Sequence, residues 1–286
     1  MNRPPVSMII CTRDRAVALR RCLEVIPAEE MCRVGVELVL VDNASTDETP
    51  EVLHTFAESA DFPVHVIHEP TPGLSSARTA GLHATNGEII AFTDDDCYLA
   101  DGFLTTLIEV FARNEFDFCG GRILLYDPSD AMAAVNYLER RHTFRPEKAI
   151  IPGEIQGANM HFRRKVVEKI GDFDPFIGAG TPFRFGDIDY CARALVAGFV
   201  GAHVPELVVY HHHGRKPGKE LDAHRRINAA ARGAYYAKFI TAGNLQYLTG
   251  WIRQMLRPRD PRVTLREMHG AWRYLRARRR ASASGG

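Results

Sequence analysis

No apolar stretch in the sequence approaches the length of a membrane-spanning helix, and the opening apolar run, Val6 to Cys11, is short and follows two prolines. The first absence argues against a bilayer-spanning segment and the second against a secretory signal. The six cysteines (Cys11, Cys22, Cys32, Cys97, Cys119 and Cys191) are scattered, with no C-x-x-C pair. Such usage reads as reduced thiols in a cytoplasmic protein. Charge of either sign is not in excess: the formal net charge is +1, so nothing global points to nucleic acid as a partner. The turn after the first apolar run, T-R-D-R, holds no glycine. That argues against a G-x-G-x-x-G dinucleotide site and against a P-loop, both of which need glycine where backbone meets phosphate.

What is present is ordinary for a globular chain: 286 residues, 45% hydrophobic and 25% charged. Strand and helix patterns alternate. Val6 to Cys11 reads as a strand, followed by a helical pattern through Leu19, Leu23 and Ile26. Glu37 to Val41 reads as a second strand, and Ser45 with Glu48 fits a capping box that would start a helix. Val64 to His68 is a third strand, followed by a helix rich in small side chains around Arg78 and ended by Asn86-Gly87. Glu88 to Thr93 is a fourth. This alternation predicts an α/β fold with a mostly parallel sheet and helices on its faces. Further on, the patterns predict a helix over Phe103 to Phe111, a strand over Phe116 to Leu125 and a helix within Ala131 to Arg141. A basic helix over Arg163 to Ile170, a helix opened by Asp187 and Asp189, and a strand ending in His211, His212 and His213 follow.

The chain is organised around E-I-I-A-F-T-D-D-D-C-Y, Glu88 to Tyr98, in which a buried-type strand ends in Asp94, Asp95 and Asp96. Three adjacent carboxylates repel, and a hard divalent cation such as Mg²⁺ or Mn²⁺ offsets them economically. Strand ends in α/β sheets are also where ligands bind. Arg13 in the first loop can approach a phosphate by charge, and Arg78 can pair with phosphate or with those carboxylates. Of the three consecutive histidines, alternation along a strand lets only one or two face a single metal.

Five segments in order carry a resemblance: C-T-R-D-R, V-D-N-A-S-T-D-E-T, G-L-S-S-A-R-T-A-G-L, E-I-I-A-F-T-D-D-D and F-G-D-I-D-Y-C-A-R-A-L-V-A-G-F, closed by V-V-Y-H. Together, over Val6 to Gly214, they resemble the family 2 glycosyltransferases, inverting enzymes of GT-A fold. The resemblance implies a GT-A-type domain over 1–214, with a mostly parallel central sheet flanked by helices; the residues after it, 215–286, read from their own patterns as a C-terminal helical extension. It implies that Asp42 contacts the nucleotide base and that Thr12 and Arg13 line the nucleotide. Arg78 would lie near the phosphates. Asp94 and Asp96 would be the outer positions of a D-x-D motif engaging ribose and metal, with Asp95 among the donor-binding residues. Asp187 would be the catalytic base and His211 a metal ligand. The usual Glu before the base is Gly186 here, which makes Asp189 a second candidate. The implied cofactors are Mn²⁺ or Mg²⁺ with a nucleotide-sugar donor, a UDP-sugar at family level, and the acceptor a saccharide or lipid-linked molecule. Two other classes compete. A nucleotidyltransferase would need a glycine-rich first loop, and a non-catalytic nucleotide-sugar-binding module would not need Asp187.

Beyond Gly214 the resemblance fades. Asp222 to Ile240 reads as a helix. Leu245, Leu248, Trp251, Ile252, Met255 and Leu256 mark one side of the next, and Leu265, Met268, Trp272 and Leu275 one face of the last. Ten arginines from Arg253 to Arg280 face only Asp260 and Glu267 in acidic residues. Packing of the apolar face on the catalytic domain, with solvated arginines, is the slightly favoured reading. The other is peripheral attachment to an anionic membrane on its cytoplasmic face. Ala281 to Gly286 reads as a disordered tail.

Overall fold

Alternation along the first strand decides where the two halves of the core lie. In β1 (Val6–Thr12), Val6, Met8 and Ile10 bury on one face of the sheet while Ile9 buries on the other. β2 (Glu37–Asp42) and β4 (Ile89–Asp94) repeat the pattern, and nearly every position in them is buried. The computed structural model describes residues 3–258 and 260–284. One face of the sheet is covered by α1 (Ala16–Glu24), α2 (Ala28–Val34), α3 (Thr49–Ser59) and α5 (Phe103–Ala112). The other is covered by α4 (Leu74–His83), α6 (Arg164–Ile170), α7 (Gly186–Val196) and part of α8 (Lys219–Thr241).

β3 (Val64–His68), β2, β1 and β4 form the parallel block that the alternating pattern predicts. β8 (Met160–Arg163) follows a 3-10 turn at Gly157–Asn159 and enters antiparallel to β4. β6 (Phe118–Leu125) pairs antiparallel to β8 and parallel to β9 (Gly201–His211). Two short strands, β5 (Cys97–Leu99) and β7 (His142–Phe144), both pair with β9.

The sheet and its flanking helices agree with the expectation; several local details do not. The helix expected at Ser45 begins at Thr49. The Ser45 hydroxyl accepts from the Asp14 N–H, and its own N–H goes to Asp42, so it is not available as a cap. No helix forms within Ala131 to Arg141. Asn136 instead bridges to Ile123 through paired backbone hydrogen bonds, which draws that segment along the sheet edge. The strand expected to end in the three histidines runs from Gly201 to His211, so only the first of them belongs to it. The expected disordered tail is helical up to Ser284, and residues 285 and 286 lie outside the described ones.

Three helices form the C-terminal part: α8, α9 (Leu245–Met255) and α10 (Pro261–Ser284). α8 and α10 approach backbone to backbone: a Cβ on Gly233 would fall 1.7 Å from the Glu267 carbonyl oxygen, and one on Gly270 1.9 Å from that of Ala230. Glu267, fully buried, accepts from Arg232 Nε and Trp251 Nε1 at 2.8 Å each, so one carboxylate ties all three helices together. The side of α10 that packs is therefore Glu267, Gly270, Ala271 and Tyr274. The expected apolar faces are only partly used. Trp251 and Leu275 pack inward, whereas Leu245, Leu248, Ile252, Leu256, Leu265, Met268 and Trp272 are exposed. No helix among the described residues is long and apolar enough to cross a membrane.

Gly270→Ala should lower stability by about 3 kcal/mol or more, because the added methyl meets backbone that cannot rotate away. Thermal unfolding would register this as a drop of several degrees; an unchanged midpoint would contradict the close α8–α10 packing.

Candidate active site

Parallel registration brings the site together. Thr12 lies opposite Asp42 and Cys11 opposite Asp94, so the carboxyl ends of β1, β2 and β4 form one edge. Above that edge is a cleft of about 490 Å³ lined by, among others, Thr12, Arg13, Asn43, Arg78, Asp94 and Asp187. The antiparallel pairing of β5 with β9 sets Cys97 opposite His211 and thereby delivers the histidine to the aspartate triplet.

The triplet divides by direction. Asp95 turns inward, where its carboxylate accepts from the Thr12 hydroxyl at 2.6 Å and pairs with Arg15 Nε at 2.9 Å. Burial pushes its carboxyl up to about 7, against the pull of Arg15. Asp96 contacts Arg15 Nη2 at 2.5 Å and His211 Nε2 at 3.2 Å. Burial raises the Asp96 carboxyl, but the hydrogen bond and charge of His211 outweigh it and bring it below the usual range. His211 moves the other way, burial being overcome by Asp96, and its pKa is raised. Asp94 opens to the cleft and pairs with Arg78 at 3.5 Å. Enclosure raises its carboxyl, with Arg78 opposing.

Ligand atoms of Asp94, Asp96, Cys97 and His211 lie within 4.8 Å of one another. Burial keeps the Cys97 thiol protonated well above its ordinary range, and a hard cation prefers oxygen and imidazole nitrogen. Asp94, Asp96 and His211 are thus the set that fits Mn²⁺ or Mg²⁺. His211 is already oriented for it: Nδ1 lies 3.1 Å from the Ala134 carbonyl oxygen, which as an acceptor fixes the proton there and leaves Nε2 toward the carboxylates.

Asp187 reaches the cleft through a strained turn, close enough for its charge to act on Asp94. Phe185 has φ 81°, an unusual value for an aromatic residue, and helix α7 starts directly after it. The Asp187 carboxylate accepts the Gly157 N–H at 2.9 Å and the Ile188 N–H at 2.8 Å, which fixes its orientation at the cleft. The glycine before it has a structural reason: a Cβ on Gly186 would sit 3.0 Å from the Ile177 carbonyl oxygen and 3.1 Å from Ser75 Oγ, so backbone fills the place of the usual Glu side chain. Asp189, the second candidate, is buried away from the cleft and pairs with Lys238 Nζ at 2.6 Å and Arg193 Nε at 3.3 Å. It anchors α7 to α8.

Among the other expected residues, Thr12, Arg13 and Arg78 all line the cleft. Arg13 is largely exposed and pairs with Asp14 at 3.5 Å, while Arg78 is buried against Phe92 and Phe173. Asp42 lies behind the wall. It is buried, accepts the Ser45 N–H and lies 2.8 Å from His68 Nδ1, and its neighbour Asn43 faces the cleft instead. Cleft residues that were not anticipated include Arg15, Arg184, Arg215, His224 and Asn228. Arg15 stood two positions past Arg13 in the same polar turn. The others lie on segments with no motif of their own.

The sequence profile of the glycosyl transferase family 2 matches residues 7–171. The glycosyltransferase AglE of Haloferax volcanii is 25% identical over 258 residues, covering 90% of this chain and 83% of that protein. The solved structure of a Pyrobaculum calidifontis mannosyltransferase, in complex with GDP-Man and Mn²⁺, superposes with a TM-score of 0.67 at 21% identity, over 94% of this chain and 74% of that one. S. aureus TarS in complex with UDP-GlcNAc superposes at 0.56 and 15% identity, over 82% and 71%.

Binding of Mn²⁺ should raise the unfolding temperature more at about pH 8 than at about pH 5.5, because the cation needs ionised carboxylates and a neutral imidazole. The signs agree. Asp94 and His211, two of the three ligands, both have raised folded-state values, so the stability they contribute is present at low pH and lost as pH rises. The cation offsets that loss. At a hundredfold excess over Kd the gain is about 2.7 kcal/mol. Asp96→Ala and His211→Ala should each abolish the shift; a shift retained in both would place the cation elsewhere.

Proposed function

The chain belongs to glycosyl transferase family 2, and on that premise we propose that it is a metal-dependent, inverting glycosyltransferase. It moves a sugar from a nucleoside diphosphate donor to an acceptor hydroxyl, with Asp187 as general base. The observation that carries this reading is the facing arrangement in one cleft: a cation-ready group of Asp94, Asp96 and His211, and a separately held carboxylate at Asp187.

Each part has a task. Asp94, Asp96 and His211 Nε2 would hold Mn²⁺ or Mg²⁺, which when bound neutralises charge developing on the departing diphosphate. Thr12, Arg13, Asn43 and the backbone around Gly73 line the nucleotide end, with Asp42 behind them and Asp95 holding the floor through Thr12 and Arg15. Arg78 braces Asp94 from beneath. Asp187 takes the proton from the acceptor hydroxyl as its oxygen bonds to the anomeric carbon. The bond from that carbon to the diphosphate breaks in the same displacement, its electron pair leaves with the nucleoside diphosphate, and the configuration inverts. Asp187 is held by two backbone N–H groups rather than by a cation, which leaves it free to act as a base.

The donor of this reading is a UDP-sugar. The Pyrobaculum protein was solved with GDP-Man and TarS with UDP-GlcNAc, so guanosine is the alternative. The acceptor is a saccharide or lipid-linked molecule. The protein acts on the cytoplasmic face of a membrane, attached peripherally through α9 and α10. The exposed stripes Leu245, Leu248, Ile252 and Leu256 on α9, and Leu265, Met268 and Trp272 on α10, support that attachment. So does the exposed Arg276, whose guanidinium lies 5.3 Å from the Trp272 ring centre. Apolar side chains fringed by arginine suit an anionic headgroup layer.

Titration of UDP, GDP, dTDP and CDP with and without Mn²⁺ should show one nucleotide binding in a metal-dependent manner. Asp187→Asn should then lower turnover by a factor of about 10² to 10⁴ while leaving that nucleotide's affinity unchanged. A variant with undiminished transfer would rule Asp187 out as the base and favour a non-catalytic binding role. For membrane attachment, the chain should float with anionic liposomes, and Trp272→Glu with Leu265→Glu should abolish flotation. Equal flotation of the variant would exclude this face.

A further inference from the structure

The cleft holds more positive charge than its carboxylates use. Arg15 is matched by Asp95 and Asp96, and Arg78 by Asp94. Arg184 and Arg215 also line the cleft, both half-buried; among the described residues neither lies within ion-pair distance of a carboxylate, although the charge of Arg215 reaches Asp96 and helps to lower its carboxyl. They are close enough to oppose each other: burial and the charge of Arg215 together pull the Arg184 guanidinium below its usual range. Arg184 Nη1 lies 2.9 Å from His224 Nδ1, and as a permanent donor it makes that ring nitrogen the acceptor. His224 thus fixes the guanidinium without neutralising it. Asn228, one turn further along α8, lines the same wall and offers an amide.

Two adjacent half-buried guanidinium groups that make no ion pair, with only the more distant Asp96 acting on Arg215, are unfavourable unless an anion joins them. Their planar forks suit the oxygens of a phosphate group. The position of Arg184 indicates which substrate carries it. It lies three residues before Asp187, on the turn that sets the proposed base, and is backed by α8. The donor's diphosphate would have its own partners at the cation group of Asp94, Asp96 and His211. Arg184, Arg215, His224 and Asn228 also all lie outside the part of the chain that the family profile matches, residues 7–171.

We propose that Arg184 and Arg215, with Arg184 fixed by His224, form a subsite for a phosphate group carried by the acceptor. The inference rests on the glycosyltransferase reading and deepens it: the acceptor is a phosphorylated molecule whose hydroxyl is presented to Asp187. A prenyl-phosphate-linked glycan and a soluble sugar phosphate share that chemistry.

The test titrates inorganic phosphate into the full chain already saturated with Mn²⁺ and with whichever of UDP or GDP binds, so that the donor site is filled. Saturable binding is expected, weakened at least tenfold by Arg184→Ala and by Arg184→Gln, with the nucleotide's affinity within twofold of the parent. Arg215→Ala should weaken phosphate similarly, and unchanged unfolding temperatures would show that the variants fold. Stronger competition by farnesyl phosphate than by glucose 1-phosphate would identify a lipid-linked acceptor, and the reverse order a soluble one; either supports the subsite. No phosphate binding to the loaded protein overturns the subsite alone. So does an equal loss of nucleotide affinity in Arg184→Ala, which would assign the arginine to the donor diphosphate. Failure of every nucleotide to bind would instead overturn the underlying reading and the subsite with it.

Discussion

Mutual repulsion of Asp94, Asp95 and Asp96 is the constraint to which the rest of the molecule answers. Three carboxylates at one strand end are tolerable only if each finds a different compensation, and each does. Asp95 is turned down onto Thr12 and Arg15, Asp94 is braced by Arg78, and Asp96 is met by His211. These partners come from β1, the following loop, α4 and β9, so the compensation of one tripeptide fixes the relative placement of most of the sheet. What remains, in Asp94, Asp96 and the imidazole, is an oxygen-rich set whose remaining demand a divalent cation meets.

The same constraint explains which parts were readable in advance. The β1–β4 block follows from apolar runs of buried-strand type separated by helical patterns, and a parallel register then aligns Thr12, Asp42 and Asp94 without further information. His211 was singled out by the family resemblance, since alternation along the strand alone left open which one or two of the three histidines would face the aspartates. Long-range hydrogen-bond choices were not readable. Ser45 looked like a helix cap because the spacing to Glu48 is right, yet Asp14, far away in sequence, uses its hydroxyl. Arg15 was not readable for a similar reason: charge is visible in T-R-D-R, and Arg13 and Arg15 both line the cleft, but that Arg15 pairs with Asp95 and Asp96 is set by the fold. Asp42 illustrates a third kind of gap. The residue type was evident, but that His68 and the Ser45 amide would bind it, and that Asn43 would face the cleft, depends on β3 pairing beside β2.

The C-terminal helices were misread in an instructive way. Hydrophobic spacing suggested which face of α10 would be buried, and the buried face is instead the one carrying Glu267, Gly270, Ala271 and Tyr274. Glycines at the α8–α10 crossing permit an approach too close for large side chains, and one carboxylate satisfying Arg232 and Trp251 holds it. Periodicity detects apolar stripes but cannot detect a contact built from small residues and a buried ion pair. The apolar residues left outside are thus not residual core, and that is why they bear on attachment to a surface.

Joining α8 to the catalytic helix has a consequence for the cleft. Lys238 bridges Asp189 and Asp174 at 2.6 and 2.7 Å, so α8 is clamped to the two segments that flank the turn leading to Asp187. Asp189 is fully buried and would be costly to leave unpaired, which makes the clamp a condition of stable packing at that helix start. The same α8 places His224 against Arg184. One helix therefore both steadies the segment that carries the proposed base and supplies the wall facing it. The cation group is built at the sheet edge by β4, the turn after it and β9, whereas the wall beside the proposed base borrows from a later helix, so the two parts of the cleft rest on different parts of the chain.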